Sequence, residues 1–106
     1  GGPVESAPLA FVDAASLQPG DLVATDLVYP DRLGEIFSLR HSDGQRWLYI
    51  PGMTPDEALL IKTFDSDADA RVRFVPHTAF DDPGTRPDAA PRRSIEVRAL
   101  VRLDRG

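Results

Sequence analysis

The 106-residue sequence contains no cysteine. That excludes a disulfide framework and a thiolate-held zinc, and it suits a reducing, cytoplasmic setting. No apolar run approaches the roughly 18 residues that a bilayer span needs, and no charged-then-apolar leader opens the chain. Neither a membrane segment nor a secretory signal is predicted. Basic charge is also short: 12 Lys and Arg against 17 Asp and Glu leave a net charge of −5. A general nucleic-acid surface needs the opposite sign, to replace the counterions of the phosphate backbone. No Gly-rich nucleotide loop follows a strand pattern, which argues against methyl transfer from a nucleotide-like donor.

What is abundant is punctuation. Ten Pro and eight Gly break a chain that is 42% hydrophobic, so a loop-rich β architecture is expected rather than a helical bundle. A chain this long makes one small domain and buries about 60–65% of its unfolded surface. Residues 7–12 and 21–29 read as strands or extended segments, the second ended by Pro30-Asp31-Arg32. Residues 34–40 and 46–50 flank Ser42-Asp43-Gly44-Gln45, which predicts a hairpin turning at Asp43-Gly44. Thr54-Pro55-Asp56-Glu57 has the form of a helix start: a capping Thr, Pro at the first helical position, and Glu three residues on. One short helix is expected there, although 58–64 reads equally as a buried strand. Residues 65–70 form an acidic turn that lacks the Gly and terminal Glu of a calcium loop.

Residues 71–80 alternate in their first part, with Arg71, Arg73 and Val75 on one face and Val72, Phe74 and Pro76 on the other. The proline-rich stretch 81–91 is predicted as an extended loop. Residues 94–103 read as a closing strand, with Ile95, Val97 and Ala99 opposite Ser94, Glu96 and Arg98. Basic residues gather late, at Arg92, Arg93, Arg98, Arg102 and Arg105; on a strand they make a solvated, salt-bridged face.

The two histidines bound the metal chemistry. His77 stands between a strand and the proline-rich loop, where it reads either as a hydrogen-bonded strand-end residue or as a metal ligand. His41-Ser42-Asp43 has the His-x-Asp form of an iron ligand pair, but it falls at the tip of a turn and is read as an ordinary turn. Arg92-Arg93-Ser94 holds an Arg-x-Ser spacing that could clamp a carboxylate, since a planar guanidinium pairs with one in two parallel hydrogen bonds.

Several strings together carry a resemblance. They are Asp26-Leu27-Val28-Tyr29-Pro30-Asp31-Arg32, Gly34-Glu35-Ile36 and Arg46-Trp47-Leu48-Tyr49-Ile50-Pro51. Met53-Thr54-Pro55-Asp56-Glu57-Ala58-Leu59-Leu60-Ile61-Lys62 and Phe64-Asp65-Ser66 follow, then His77-Thr78-Ala79-Phe80-Asp81-Asp82-Pro83 and Ser94-Ile95-Glu96-Val97-Arg98. With them the chain resembles the C-terminal half of a non-haem iron oxygenase-like family. That family includes a cephamycin 7α-methoxylation component, a fungal meroterpenoid endoperoxygenase and gibberellin desaturase-like proteins.

The resemblance implies a mainly β, partial double-stranded β-helix (jelly roll), with residues 1–106 the C-terminal portion of a single oxygenase-like domain. It implies Fe(II) and 2-oxoglutarate as cofactors and a small, secondary-metabolite-like substrate. His77 would be the distal iron ligand, and Arg92 with Ser94, or Arg98, would hold the 2-oxoglutarate carboxylate. Arg93 stands where Glu is more usual in the family. The family's His-x-Asp pair lies upstream of the matching part, so the chain alone is expected to be inactive, as a fragment of an oxidoreductase. The competing reading is a non-catalytic β-domain with a structural His77. Half a jelly roll leaves sheet edges unpaired, which predicts self-association.

Overall fold

A computed structural model describes residues 2–104; Arg105 lies outside them. Strand β1 (Leu9–Val12) leads into a 3-10 turn (Ala14–Ser16), and β2 (Leu22–Val28) and β3 (Leu33–Leu39) follow. Two short strands, β4 (Trp47–Tyr49) and β5 (His77–Ala79), complete the set. They form two antiparallel sheets, one in the order β4-β1-β5 and the other the β2-β3 hairpin.

The hairpin differs from the expected one. β3 pairs with β2, and the turn is Pro30-Asp31, closed by the Tyr29 N–H donating to the Arg32 carbonyl at 3.0 Å. Proline presets the backbone angle that this turn needs, and the Arg32 guanidinium lies 4.3 Å from the Tyr29 ring centroid. Ser42-Asp43-Gly44-Gln45 does turn, with the Gln45 N–H bonded to the Ser42 carbonyl at 3.1 Å. It redirects the chain out of the hairpin, and β4 joins β1 instead. Asp21 ties the junction together. It is buried, and its carboxylate accepts from the Gln18 N–H at 2.8 Å and from Gln45 Nε2 at 3.3 Å.

The expected helix at Pro55 does not form. Its cap does: the Thr54 N–H donates to the Glu57 carboxylate at 2.9 Å, and the Glu57 N–H returns to the Thr54 carbonyl at 3.0 Å. The Thr54 N–H, and then its hydroxyl, hold the Glu57 carboxyl below its ordinary pKa. Beyond the cap, Leu59 and Ile61 are half-buried while Leu60 is exposed, and no helix continues. The single helical element among the described residues is the 3-10 turn, capped by Asp13 Oδ1 accepting from the Ala15 N–H at 3.1 Å.

The expected strand over 71–80 shrinks to His77–Ala79. Upstream, residues 62–75 close on themselves: Val75 N–H donates to the Lys62 carbonyl and Arg73 Nε to the Asp65 carbonyl. Pro76 brings no N–H to a ladder, so the strand starts after it. Phe74 packs edge-on against Phe37 of β3 at 5.0 Å, which sets this loop against the hairpin. The strand expected over 94–103 is absent, and Ile95, Val97, Leu100, Val101 and Leu103 are all exposed.

Little is sealed inside. Ala10 and Val12 of β1 are the buried hydrophobic residues among those described. The chain exposes 9047 Å², against about 5,800 Å² for a compact domain of this length. Its radius of gyration is 16.3 Å, where about 13 Å is usual. Both measures say that apolar sheet faces stand open.

Candidate functional site

His77 opens β5 and lies directly opposite Phe11 in β1. The flanking pairs Val12–Pro76 and Phe80–Pro8 carry backbone hydrogen bonds at 3.1 Å each, so Phe11–His77 is a non-hydrogen-bonded pair. Side chains approach most closely at such a pair. The imidazole is exposed, and its Nδ1 lies 2.9 Å from the Val75 carbonyl oxygen. A carbonyl only accepts, so Nδ1 carries the proton, and Nε2 has no hydrogen-bond partner among the described residues. Metal-bound histidines are oriented in this way, with the second ring nitrogen donating to a carbonyl or carboxylate.

Register places further groups on the His77 face. Leu48 pairs with Phe11, which gives a row Leu48–Phe11–His77 across three strands. One step along, Asp13 N–H donates to the Arg46 carbonyl at 2.8 Å, and Arg46 Nη2 donates to Asp13 Oδ2 at 2.8 Å. Phe11, Leu48, Asp13 and Arg46 floor an open cleft of about 410 Å³, whose far wall is Leu59, Leu60, Ile61, Val72 and Val75; His77 is not among its lining residues. The opposite face of the sheet carries a second, more apolar hollow of about 450 Å³ over Trp47, Tyr49 and Phe80, with Tyr49 and Phe80 in an edge-on contact at 5.1 Å.

The other residues singled out in the sequence lie apart from this row. Glu5 pins the proline-rich loop, taking Arg86 Nη2 at 2.9 Å and the Ala90 N–H at 3.2 Å, while Ser6 Oγ donates to the Ala90 carbonyl. Arg92 follows that staple and is half-buried. Ser94 is exposed, and Arg98 is exposed with Nη2 3.8 Å from Glu96 Oε1, the pairing that strand alternation suggested. None of the three sits on a strand beside β5. His41 Nε2 and Asp43 Oδ1 are 3.1 Å apart on a fully exposed turn. Among the described residues no group of three His, Asp or Glu side chains could hold a metal. His77 therefore fits one position of a three-ligand iron site and no more.

The Asp13–Arg46 pair was not foreseen. Its members are 33 positions apart, and nothing local in the sequence links them. Only the β1–β4 register, itself missed by the hairpin expectation, brings them together.

A family profile described as an oxidoreductase/YMDC permease-like domain matches residues 1–102. The chain belongs to this family. Relatives within reach of the same sequence are fungal proteins. Aspirochlorine biosynthesis protein N of Aspergillus oryzae is 41% identical, over 94% of this chain and 43% of that protein. Hydroxylase/desaturase asaB of Aspergillus flavus is 42% identical over 93% of this chain and 50% of its own length. The Fe(II)/2-oxoglutarate-dependent dioxygenase nvfI of Aspergillus novofumigatus is 39% identical over 93% and 36%. A solved structure of a variant of the iron and alpha-ketoglutarate-dependent endoperoxidase NvfI superposes with a TM-score of 0.76 at 31% identity. It covers 87% of this chain and 35% of that one. The chain thus spans half or less of the length of these relatives. The likeness identifies the mainly β arrangement as part of a jelly-roll oxygenase fold. No helix among the described residues is long and apolar enough to cross a membrane.

Proposed function

We propose that this chain furnishes one iron ligand and the co-substrate clamp of a non-haem iron, 2-oxoglutarate-dependent oxidoreductase acting on a small, secondary-metabolite-like molecule. The observation that carries the reading is the Val75–His77 hydrogen bond, which fixes the tautomer and leaves Nε2 as an open donor on a sheet face that also bears a cleft. The names of the similar proteins, hydroxylase/desaturases and 2-oxoglutarate-dependent dioxygenases, point to the same chemistry.

Each residue then has a limited task. His77 would hold the metal through Nε2, and the Val75 carbonyl holds the ring by its hydrogen bond to Nδ1. Arg92 with Ser94, or Arg98, pairs with the distal carboxylate of 2-oxoglutarate through parallel charge-assisted hydrogen bonds. The remaining metal donors come from outside the described residues, since one imidazole cannot make a facial triad. Bound iron and 2-oxoglutarate would supply the activation of oxygen for oxidising a C–H bond. The cysteine-free composition suits a cytoplasmic enzyme.

The test uses the whole polypeptide that carries residues 1–106. Fe(II)-dependent conversion of 2-oxoglutarate to succinate is expected, and His77→Ala should abolish it. Conversion that survives His77→Ala undiminished sinks the assignment.

A further inference from the structure

We propose that the cleft on the His77 face binds the body of a small, neutral, mainly apolar molecule, and that Arg46 hydrogen-bonds a carbonyl oxygen of that molecule. The proposal rests on the oxidoreductase reading only in calling that molecule the substrate; the binding site stands on its own geometry.

Three observations carry it. Side chains along a strand alternate between faces, and directly paired residues share one. Phe11, Leu48 and His77 form one row, with Asp13 and Arg46 in the next row along β1 and β4. A molecule lying on Phe11 and Leu48 therefore rests on the strand neighbour of His77, which does not itself line the cleft. Second, the cleft is walled by Leu59, Ile61, Val72 and Val75, and its volume of about 410 Å³ falls within the range of small-molecule sites. Third, the polar end is held in place rather than loose. Asp13 takes Arg46 Nη2 on Oδ2 and the Ala15 N–H on Oδ1, and Ser16 Oγ accepts from the Arg46 N–H at 2.9 Å while donating to the Asp13 carbonyl at 2.6 Å.

The same pair decides the charge of the ligand. A guanidinium has five N–H donors, and the Asp13 contact shown engages one nitrogen. The Arg46 side chain is 70% exposed, so further donors can reach an incoming oxygen. Asp13 already neutralises the cation, and a second carboxylate would meet like-charge repulsion. A neutral carbonyl acceptor is the partner that suits this pair. The aromatic hollow on the opposite face has no such polar anchor, and it faces away from His77.

Acetophenone, which joins an apolar ring to one carbonyl, is a direct probe. It would be titrated into the whole polypeptide that carries residues 1–106, stripped of iron and without 2-oxoglutarate, with amide and methyl NMR shifts as the readout. Saturable shifts are expected at Phe11, Leu48, Ile61 and Val75. Leu48→Trp and Leu59→Trp fill the cleft from its two walls, and each should weaken binding by about tenfold or more. Arg46→Gln should weaken it by about fivefold, from loss of the charged donor. Tyr49→Ala, on the far face, should leave it unchanged. Shifts centred on Trp47, Tyr49 and Phe80, binding indifferent to both filling variants, or no saturable binding at all would each overturn the proposal. Because no metal or 2-oxoglutarate is present, these outcomes are independent of whether succinate formation is observed in the whole polypeptide.

Discussion

Val75 and His77 are linked by a hydrogen bond of 2.9 Å that spans Pro76. The proline contributes no N–H to the ladder, so β5 begins after it, and the Val75 carbonyl accepts the imidazole proton. Two residues of sequence thus set both the start of the strand and the tautomer of its first side chain.

From this follows the behaviour toward metal. With one imidazole and no three-ligand cluster among the described residues, the isolated chain should bind Fe(II) weakly, and His77→Ala should change little. In the whole polypeptide, the same substitution should cost more than the roughly 10–100-fold in affinity that loss of an outer-shell partner costs. Calorimetric titration under anaerobic conditions measures both. A tight one-to-one site in the isolated chain that disappears in both His41→Ala and Asp43→Ala would place the metal on the exposed turn instead.

The clamp assignment separates two arginines. Arg92 is half-buried behind the loop that Glu5 and Ser6 staple, whereas Arg98 is exposed beside Glu96. In the whole polypeptide, truncating the true clamp to Ala should raise the apparent 2-oxoglutarate requirement by about 30-fold, the equivalent of about 2 kcal/mol for a charge-assisted pair. The other arginine should be nearly silent. Measured succinate formation against 2-oxoglutarate concentration for Arg92→Ala and Arg98→Ala decides between them, and indifference to both removes the clamp from these residues.

Local chemistry was readable in the sequence, and partner choice was not. The 42–45 turn and the Thr54–Glu57 cap both form where composition put them, because each rests on contacts within four residues. What they lead into was misjudged. The alternation of 34–40 and 46–50 identifies strands, but a period of two says nothing about which strand lies beside which; β3 found β2, and β4 found β1. The 58–61 segment has helix formers after a sound cap, yet Leu59, Leu60 and Ile61 line the cleft wall and no helix forms. Tertiary contacts overrode local preference there. His77 stood out because histidine is scarce, and the structure places it at the start of β5; the Asp13–Arg46 pair, joined only through register, was not readable.

Acid should loosen the 62–73 loop. The Asp65 carboxyl is held below its ordinary pKa, chiefly by the Lys62 ammonium at 2.6 Å and then by the Asp67 N–H at 2.9 Å. A depressed folded-state pKa contributes stability that is full above the unfolded value of about 3.9 and fades as pH falls through the lower folded value. Carboxyl NMR titration should place the Asp65 midpoint below that of an exposed Asp, and Lys62→Met should move it upward. An unshifted midpoint would remove the Lys62–Asp65 pair as an organiser of the loop.

The open edges make the last prediction. In β5 the pairs to β1 use the N–H and C=O groups of Thr78 and Phe80, so those of His77 and Ala79 point outward. On β4 the partners of β1 are Arg46 and Leu48, which leaves Trp47 and Tyr49 outward-facing in the same way. Such edge rows template another strand, even with the Ala79 carbonyl already accepting from the Thr78 hydroxyl at 3.1 Å. A suitable one is present in the same chain: Ile95, Val97, Val101 and Leu103 lie at alternate positions and are exposed, with Glu96, Arg98 and Arg102 between them. This segment forms no strand in the single chain, but its alternating apolar positions and a sheet with open edges should find each other between molecules when nothing else covers them. Sedimentation velocity of the isolated chain should therefore show concentration-dependent self-association. Ile95→Lys and Val97→Lys together put charge on the apolar row without touching either sheet, and should shift the population toward monomer. A chain that stays monomeric across concentration, or a double variant that associates as before, removes the 94–103 segment as the pairing element.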